Sequence, residues 1–179
     1  MNSVTPAEYL ELERQADWKS EYYRGKMCEM PRVNVRHVLI VANLAAEISQ
    51  QLKNIVQCSV YFSALRLQVT PDFYTYPDVM AFCGQAQVVG DHDDIVTNPD
   101  LIIEVLSEAS QDYDRGSKFE RYRKLPSLVE YLTVAQDRPH LEPCIRRDEG
   151  WRLTDYNGPD ETVVVVPVSE IYEKVDFSR

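Results

Sequence analysis

Histidine is scarce in this chain, with three residues in 179. None of them, His37, His92 or His140, falls into an HExxH or other paired spacing, and no serine or cysteine nucleophile signature is present. The sequence marks of zinc peptidases and triad hydrolases are therefore missing. The four cysteines, Cys28, Cys58, Cys83 and Cys144, lie far apart with no C-x-x-C. Neither a zinc site nor a disulfide framework is suggested, and reduced core residues are expected. No apolar run approaches the roughly 20 residues that span a bilayer. The N-terminal MNSVTPAEYLELERQ has no apolar h-region, so a cytoplasmic location is expected. Basic residues are outnumbered 19 to 29, for a formal net charge of -10. That balance argues against a protein that coats nucleic acid through bulk electrostatics, so a polyanion would need a local basic patch. One candidate is RGSKFERYRK, residues 115–124, where Arg115, Lys118, Arg121, Arg123 and Lys124 face only Glu120; a solvated helix face is the alternative.

With 44% hydrophobic and 10% aromatic residues, the composition is that of a globular chain, and the length suits one domain over residues 1–179. Thr5-Pro6-Ala7-Glu8 is a capping box with proline at the first helical position, announcing a helix through EYLELERQ. SEYYRGKMCEM reads as two short strands about a turn at Arg24-Gly25. Asn34 can cap a long amphipathic helix, VRHVLIVANLAAEISQQLK, in which Val38, Val41, Ala45 and Ile48 recur at helical spacing. Strands follow in VQCSVYF, ALRLQV, YPDVMAF after a proline-rich turn, and LIIEVLS after the polar loop GDHDDIVTNP. QDYDRGSKFERYRKL reads as a helix stopped by Pro126. LVEYLTV, HLEPCIRR, WRLTDYN and TVVVVPV then suggest a terminal meander, with a short helix near Ser169. No repeat or linker interrupts this α/β order, and a mixed sheet is expected.

One position conflicts with its surroundings. Glu104 sits among Leu101, Ile102, Ile103, Val105 and Leu106, where a lone buried carboxylate costs several kcal/mol unless protonated, paired or metal-bound. Asp78 occupies YPDVMAF in the same manner. If the two strands are neighbours, both acids can converge on one face, and their repulsion then calls for a divalent cation or a shared proton. Hard oxygen ligands without paired histidine or cysteine favour Mg²⁺ or Mn²⁺ over zinc. Lys118 lies on the following helix, and Arg115, Lys118 and Tyr122 share a face at i, i+3, i+7. Such a helix could deliver the lysine to the acids, with Tyr122 and Arg115 as supports. Each residue also has a plainer reading. Asp78 is a turn residue after Pro77, Glu104 pairs with an arginine such as Arg66, and Lys118 pairs with Asp114 at i, i+4.

The order YPDVMAF, NPDLIIEVLSEAS, YDRGSKFERYRKLPSLVEYLTV resembles the Uma-two family of bacterial restriction-endonuclease-like proteins, a branch of the PD-(D/E)XK nuclease superfamily. The resemblance covers nearly the whole chain. SEYYRGKMCEM is similar to the family's strand pair with an early glutamate and a turn glycine, here Glu21 and Gly25, and His37 falls where members often carry a histidine. The resemblance implies a mixed central sheet flanked by helices, with an N-terminal strand pair and a C-terminal β meander. It implies Asp78 and Glu104 as metal ligands with the Val105 carbonyl as a third, Lys118 as the lysine and Glu21 as a further carboxylate. Leu106 stands where a D/E-X-K motif has lysine, and the resemblance supplies that lysine from the next helix. Glu21 is otherwise a surface strand residue.

The function implied is metal-dependent hydrolysis of DNA phosphodiesters, in a homo-oligomer. Two rival readings remain: an inactive oligomeric binding or accessory protein of the same fold, favoured by the acidic charge, and a metal-independent hydrolase using paired carboxylates as acid and base. DHDD at 91–94 is either a metal cluster or a solvated acidic loop. His37 is a cap, packing residue or ligand, and the valine run TVVVVPV a covered strand or an interface.

Overall fold

The structure, a computed structural model, describes residues 3–53, 57–62, 65–156, 162–163 and 166–178. Thr5 caps α1 (Pro6–Gln15) through the reciprocal contacts expected with Glu8. β1 (Ser20–Tyr23) and β2 (Lys26–Glu29) pair antiparallel. Arg24 and Gly25 between them both have positive φ, 48° and 84°, as a two-residue hairpin turn requires. The Asn34 side chain accepts from the His37 amide and starts α2 (Val35–Leu52). β3 (Cys58–Phe62), β4 (Arg66–Thr70), β5 (Phe73–Thr75), β6 (Val79–Cys83), β7 (Ile95–Val96) and β8 (Leu101–Leu106) follow. Beyond α3 (Gln111–Tyr113), a π-turn over Asp114–Lys118 and α4 (Phe119–Tyr122) come β9 (Glu130–Ala135), β10 (Leu141–Arg147) and β11 (Gly150–Leu153). A short hairpin of β12 (Thr162–Val163) and β13 (Val166–Pro167) leads into α5 (Val168–Ile171).

The strands form two mixed sheets where one was expected. The larger has the order β11-β10-β9-β8-β6-β3, the smaller β2-β1-β5-β4-β7. Alternation along β6, β8 and β9 sends Val79, Ala81, Ile103, Leu132 and Val134 to one face, against Ile40, Leu44 and Ile48 of α2 and Val168 and Ile171 of α5. Met80, Phe82, Ile102 and Tyr131 face the other way, onto Leu67, Val69 and Phe73 of the smaller sheet and Tyr122 of α4. β8 is buried at every position, as a strand covered on both faces must be.

Three expectations on local structure need correction. β5 lies inside the segment read as a proline-rich turn and β7 inside the polar loop; at three and two residues they are too short to show a period. The helix read as regular over 111–125 is broken in the middle: Gly116 has φ -101° and ψ -106°, and five residues wind as a π-turn. Cys58 and Cys83 form a disulfide across β3 and β6, directly opposed with Cα atoms 4.1 Å apart. Their 25-residue separation is invisible as a motif because sheet register alone brings them together. Cys28 is exposed and Cys144 half-buried, so neither is a core residue. The valine run falls partly on 164–165, outside the described residues.

Candidate active site

The register Val79↔Ile103 between antiparallel β6 and β8 places Asp78, one residue before β6, level with Glu104. Glu104 in turn pairs with Thr133 of β9, and Thr133 with Glu142 of β10. Asp78, Glu104, Thr133 and Glu142 thus form a row across four strands on the face turned to the smaller sheet. The 111–122 segment lies over this row. Its π-turn, pinned by the Tyr131 hydroxyl donating to the Asp114 carbonyl at 3.0 Å, aims both Asp114 and Lys118 inward; each is buried.

Lys118 is the hub. Its Nζ lies 2.9 Å from Glu104 Oε1, 2.9 Å from Glu21 Oε1 and 3.3 Å from Asp114 Oδ1. The i, i+4 partner and the distant acids are therefore held together by one ammonium. Glu21 comes from β1 of the smaller sheet, so the lysine ties one sheet to the other. Thr75 donates to Glu21 Oε1 at 2.5 Å and Tyr113 to Oε2 at 2.9 Å. The Tyr122 hydroxyl donates to Glu104 Oε1 at 2.6 Å. Asp78 receives the Val105 amide on Oδ2 at 2.8 Å and lies 3.0 Å from His37 Nε2 through Oδ1. His37 is thus more than a packing residue: it abuts a proposed ligand. On an extended strand the N–H and C=O of one residue point to the same side, so the Val105 carbonyl faces the Asp78 side of β8.

Two buried carboxylates and the part-buried Glu21 around one ammonium, with Asp78 beside them, leave the cluster rich in negative charge. Burial pushes the Glu104 carboxyl well above the ordinary range, and Asp114 and Asp78 add to the effect against the pull of Lys118 and Tyr122. Asp114 is also raised, chiefly by burial. For Glu21 burial is outweighed by Lys118, Thr75 and Tyr113, which hold it below the usual value. Burial opposes the charge on Lys118, but the surrounding acids keep it protonated well beyond the ordinary range. Both Glu104 partners fall on Oε1. Hard oxygen donors and a surplus of negative charge are the chemistry that suits a divalent cation.

Other expected roles fall elsewhere. Arg115 does not support the lysine: it makes a two-pronged pair with Glu142, at 2.7 and 3.1 Å, and anchors the π-turn to the far end of the carboxylate row. The widened turn takes Arg115 off the face shared by Lys118 and Tyr122. Arg66 leaves Glu104 alone, bonding Tyr76 at 2.8 Å and Asp94 at 3.1 Å. The basic segment is largely consumed, Arg121 donating to the Tyr113 hydroxyl and lying 3.8 Å over the Tyr23 ring. In DHDD, Asp94 is taken by Arg14 and Arg66, which makes it structural. A cluster absent from the sequence reading joins His140, Glu142 and Asp155, but Arg115 already occupies both Glu142 oxygens. Thr75 and Tyr113 were missed as site residues because no motif spacing marks them.

A cleft of about 410 Å³ opens onto Asp78, Glu104, Lys118, Glu21 and His37 and is walled by 29–34. An acid–lysine cluster on the inner strands of a mixed sheet, with its lysine on the helical segment that follows, belongs to a restriction-endonuclease-like α/β fold. A crystal structure from Anabaena variabilis, titled as "a putative nuclease belonging to DUF820", shares this fold. It superposes with TM-score 0.75 at 18% identity, covering 94% of this chain and 97% of that one. Residues 6–172 match the Uma2 family, described as "Putative restriction endonuclease", and the chain belongs to that family. Two uncharacterized proteins of Synechocystis sp., sll1609 and slr1290, are 32% and 31% identical over 89% and 88% of this chain and 91% and 82% of their own lengths. Among the described residues no helix is long and apolar enough to cross a membrane.

Proposed function

We propose that this protein is a divalent-metal-dependent nuclease that hydrolyses phosphodiester bonds in DNA. The observation that carries the reading is the charge imbalance: three acids, Glu21, Glu104 and Asp114, converge on a single lysine, and a fourth, Asp78, lines the same cleft. Asp78, Glu104 and the Val105 carbonyl would hold Mg²⁺ or Mn²⁺. Such an ion, when bound, neutralises phosphate charge and acidifies a water. Hydrolysis joins the water oxygen to phosphorus and breaks one sugar O–P bond; the proton the water loses balances the one the leaving oxygen gains.

Lys118 stays protonated at neutral pH, so it serves as a donor, orienting the water and the non-bridging phosphate oxygens, rather than as a base. Tyr122 fixes the Glu104 carboxyl, and Thr75 and Tyr113 fix Glu21. Family membership and the neighbour's fold support the nuclease class. Calorimetric titration with Mn²⁺, with circular dichroism as folding control, tests the site. Saturable binding lost in both Asp78→Ala and Glu104→Ala, together with Mn²⁺-dependent cutting of DNA, is expected. Absence of binding in the folded wild type refutes it and favours the accessory-protein reading, in which Lys118 alone compensates Glu104.

A further inference from the structure

Resting on the nuclease reading of the cleft, we infer that Arg32 grips a phosphate of the DNA backbone at the cleft mouth, next to the phosphate that the buried acids and lysine would act on. The charge lining the cleft carries the argument. Glu21, Glu29, Asp78, Glu104 and Asp114 line it, and among the described residues the fixed positive charges there are Lys118 and Arg32. Lys118 is 5% exposed and already shared among Glu21, Glu104 and Asp114. A DNA backbone meeting that lining is repelled unless a cation receives it, and Arg32 is the cation left. It is exposed, and its guanidinium has no ion pair, hydrogen bond or ring contact among the described residues. The arginines nearby differ: Arg115 is held by Glu142, Arg121 by Tyr113, and Arg36 by the carbonyls of Gln136 and Asp176.

The segment that carries Arg32 is fixed on both sides. Two residues before it, the Met30 amide donates to the Lys19 carbonyl at 2.9 Å. Two residues after it, the Asn34 side chain accepts from the His37 amide at 2.9 Å and starts α2. The ring of Pro31 fixes its own φ and biases Met30 toward an extended backbone. The backbone at position 32 is therefore placed before a ligand arrives, and little of the chain needs ordering when one binds. Guanidinium suits the task, because its planar fork donates two parallel hydrogen bonds to the oxygens of one phosphate. Arg32 is exposed where Lys118 is buried, so it meets a neighbouring phosphate and holds the strand rather than the reacting atoms.

With Ca²⁺ in place of Mn²⁺, fluorescence anisotropy of a labelled hairpin DNA duplex over a series of salt concentrations tests the contact, with circular dichroism as folding control. Arg32→Met is expected to weaken binding on the order of tenfold. The slope of log affinity against log salt should fall by about 0.9, the share of one phosphate. Arg32→Lys should keep the slope and recover part of the affinity, since the charge remains and the fork is lost. Lys53→Met controls for net charge: Lys53 is exposed at the far end of α2, about 27 Å along its 18 residues, and its loss should move neither quantity. Arg32→Met that binds like the wild type, or shifts no more than Lys53→Met, overturns the inference. Exchanging Ca²⁺ for Mn²⁺ separates the two readings. Arg32-dependent binding without cutting removes the nuclease and keeps the phosphate contact; Mn²⁺-dependent cutting by a protein whose DNA binding ignores Arg32 does the reverse. A wild type that binds no duplex removes both.

Discussion

Replacing Lys118 by methionine keeps the length of the side chain and removes its charge. Three carboxylate groups within 3.3 Å of Nζ then lose their common partner. Removing one partner of a buried ionic cluster costs about 3–5 kcal/mol, and at about 2–4 °C per kcal/mol for a chain this size the melting temperature should fall by about 6–20 °C. The loss should depend on pH. Glu104 and Asp114 already have carboxyl pKa values raised in the folded state, so folding favours their protonated forms. The strain they impose is absent below their ordinary values, near 4.5 for Glu104, and grows as pH rises through the raised folded values. Differential scanning of wild type and Lys118→Met at several pH values should show a gap wide at pH 7 and narrowing toward pH 4.5, with Mn²⁺ stabilising the variant at neutral pH. A gap under about 1 kcal/mol, or one independent of pH, would refute the argument that Lys118 balances the buried acids.

Tyr122→Phe removes a 2.6 Å bond to Glu104; a loss of about 1.5–3 kcal/mol in urea unfolding is expected, as for a bond to a charged acceptor. Glu142 is held down to about 2, where burial is overcome by Arg115, His140 and Thr133. Its folded pKa lies below the unfolded value, so its contribution is present above about 4.5 and lost as pH falls toward 2; Glu142→Gln should flatten acid unfolding in that window. Paired Cys58→Ser and Cys83→Ser substitutions open a 25-residue loop and should cost about 3 kcal/mol relative to the oxidised protein, with no difference from the wild type in reductant.

Much of this arrangement was legible before folding, and the exceptions share a cause. Glu104 announced itself because a carboxylate in LIIEVL violates the pattern around it. The caps at Thr5 and Asn34 are local chemistry, written within four residues, and both form. Arg115 was misplaced because ideal helical spacing was carried through Gly116, where the backbone leaves it. The disulfide, and the placing of Glu21 beside Lys118, depend on which strands meet; 97 positions separate the latter two, and no periodicity reports on that. The answer to the buried carboxylate was also only half visible: a protein ammonium compensates it in part, and the remaining charge is what a divalent ion would address.

The hinge-like consequence of Lys118 concerns movement rather than chemistry. It rivets β1 of one sheet to β8 of the other. A ligand that draws Glu104 or Glu21 away from the ammonium must loosen that rivet, so filling the cleft and shifting the two sheets become one event. Deuterium uptake along β1 should then report occupancy of a cleft in which the buried Glu104 belongs to the opposite sheet.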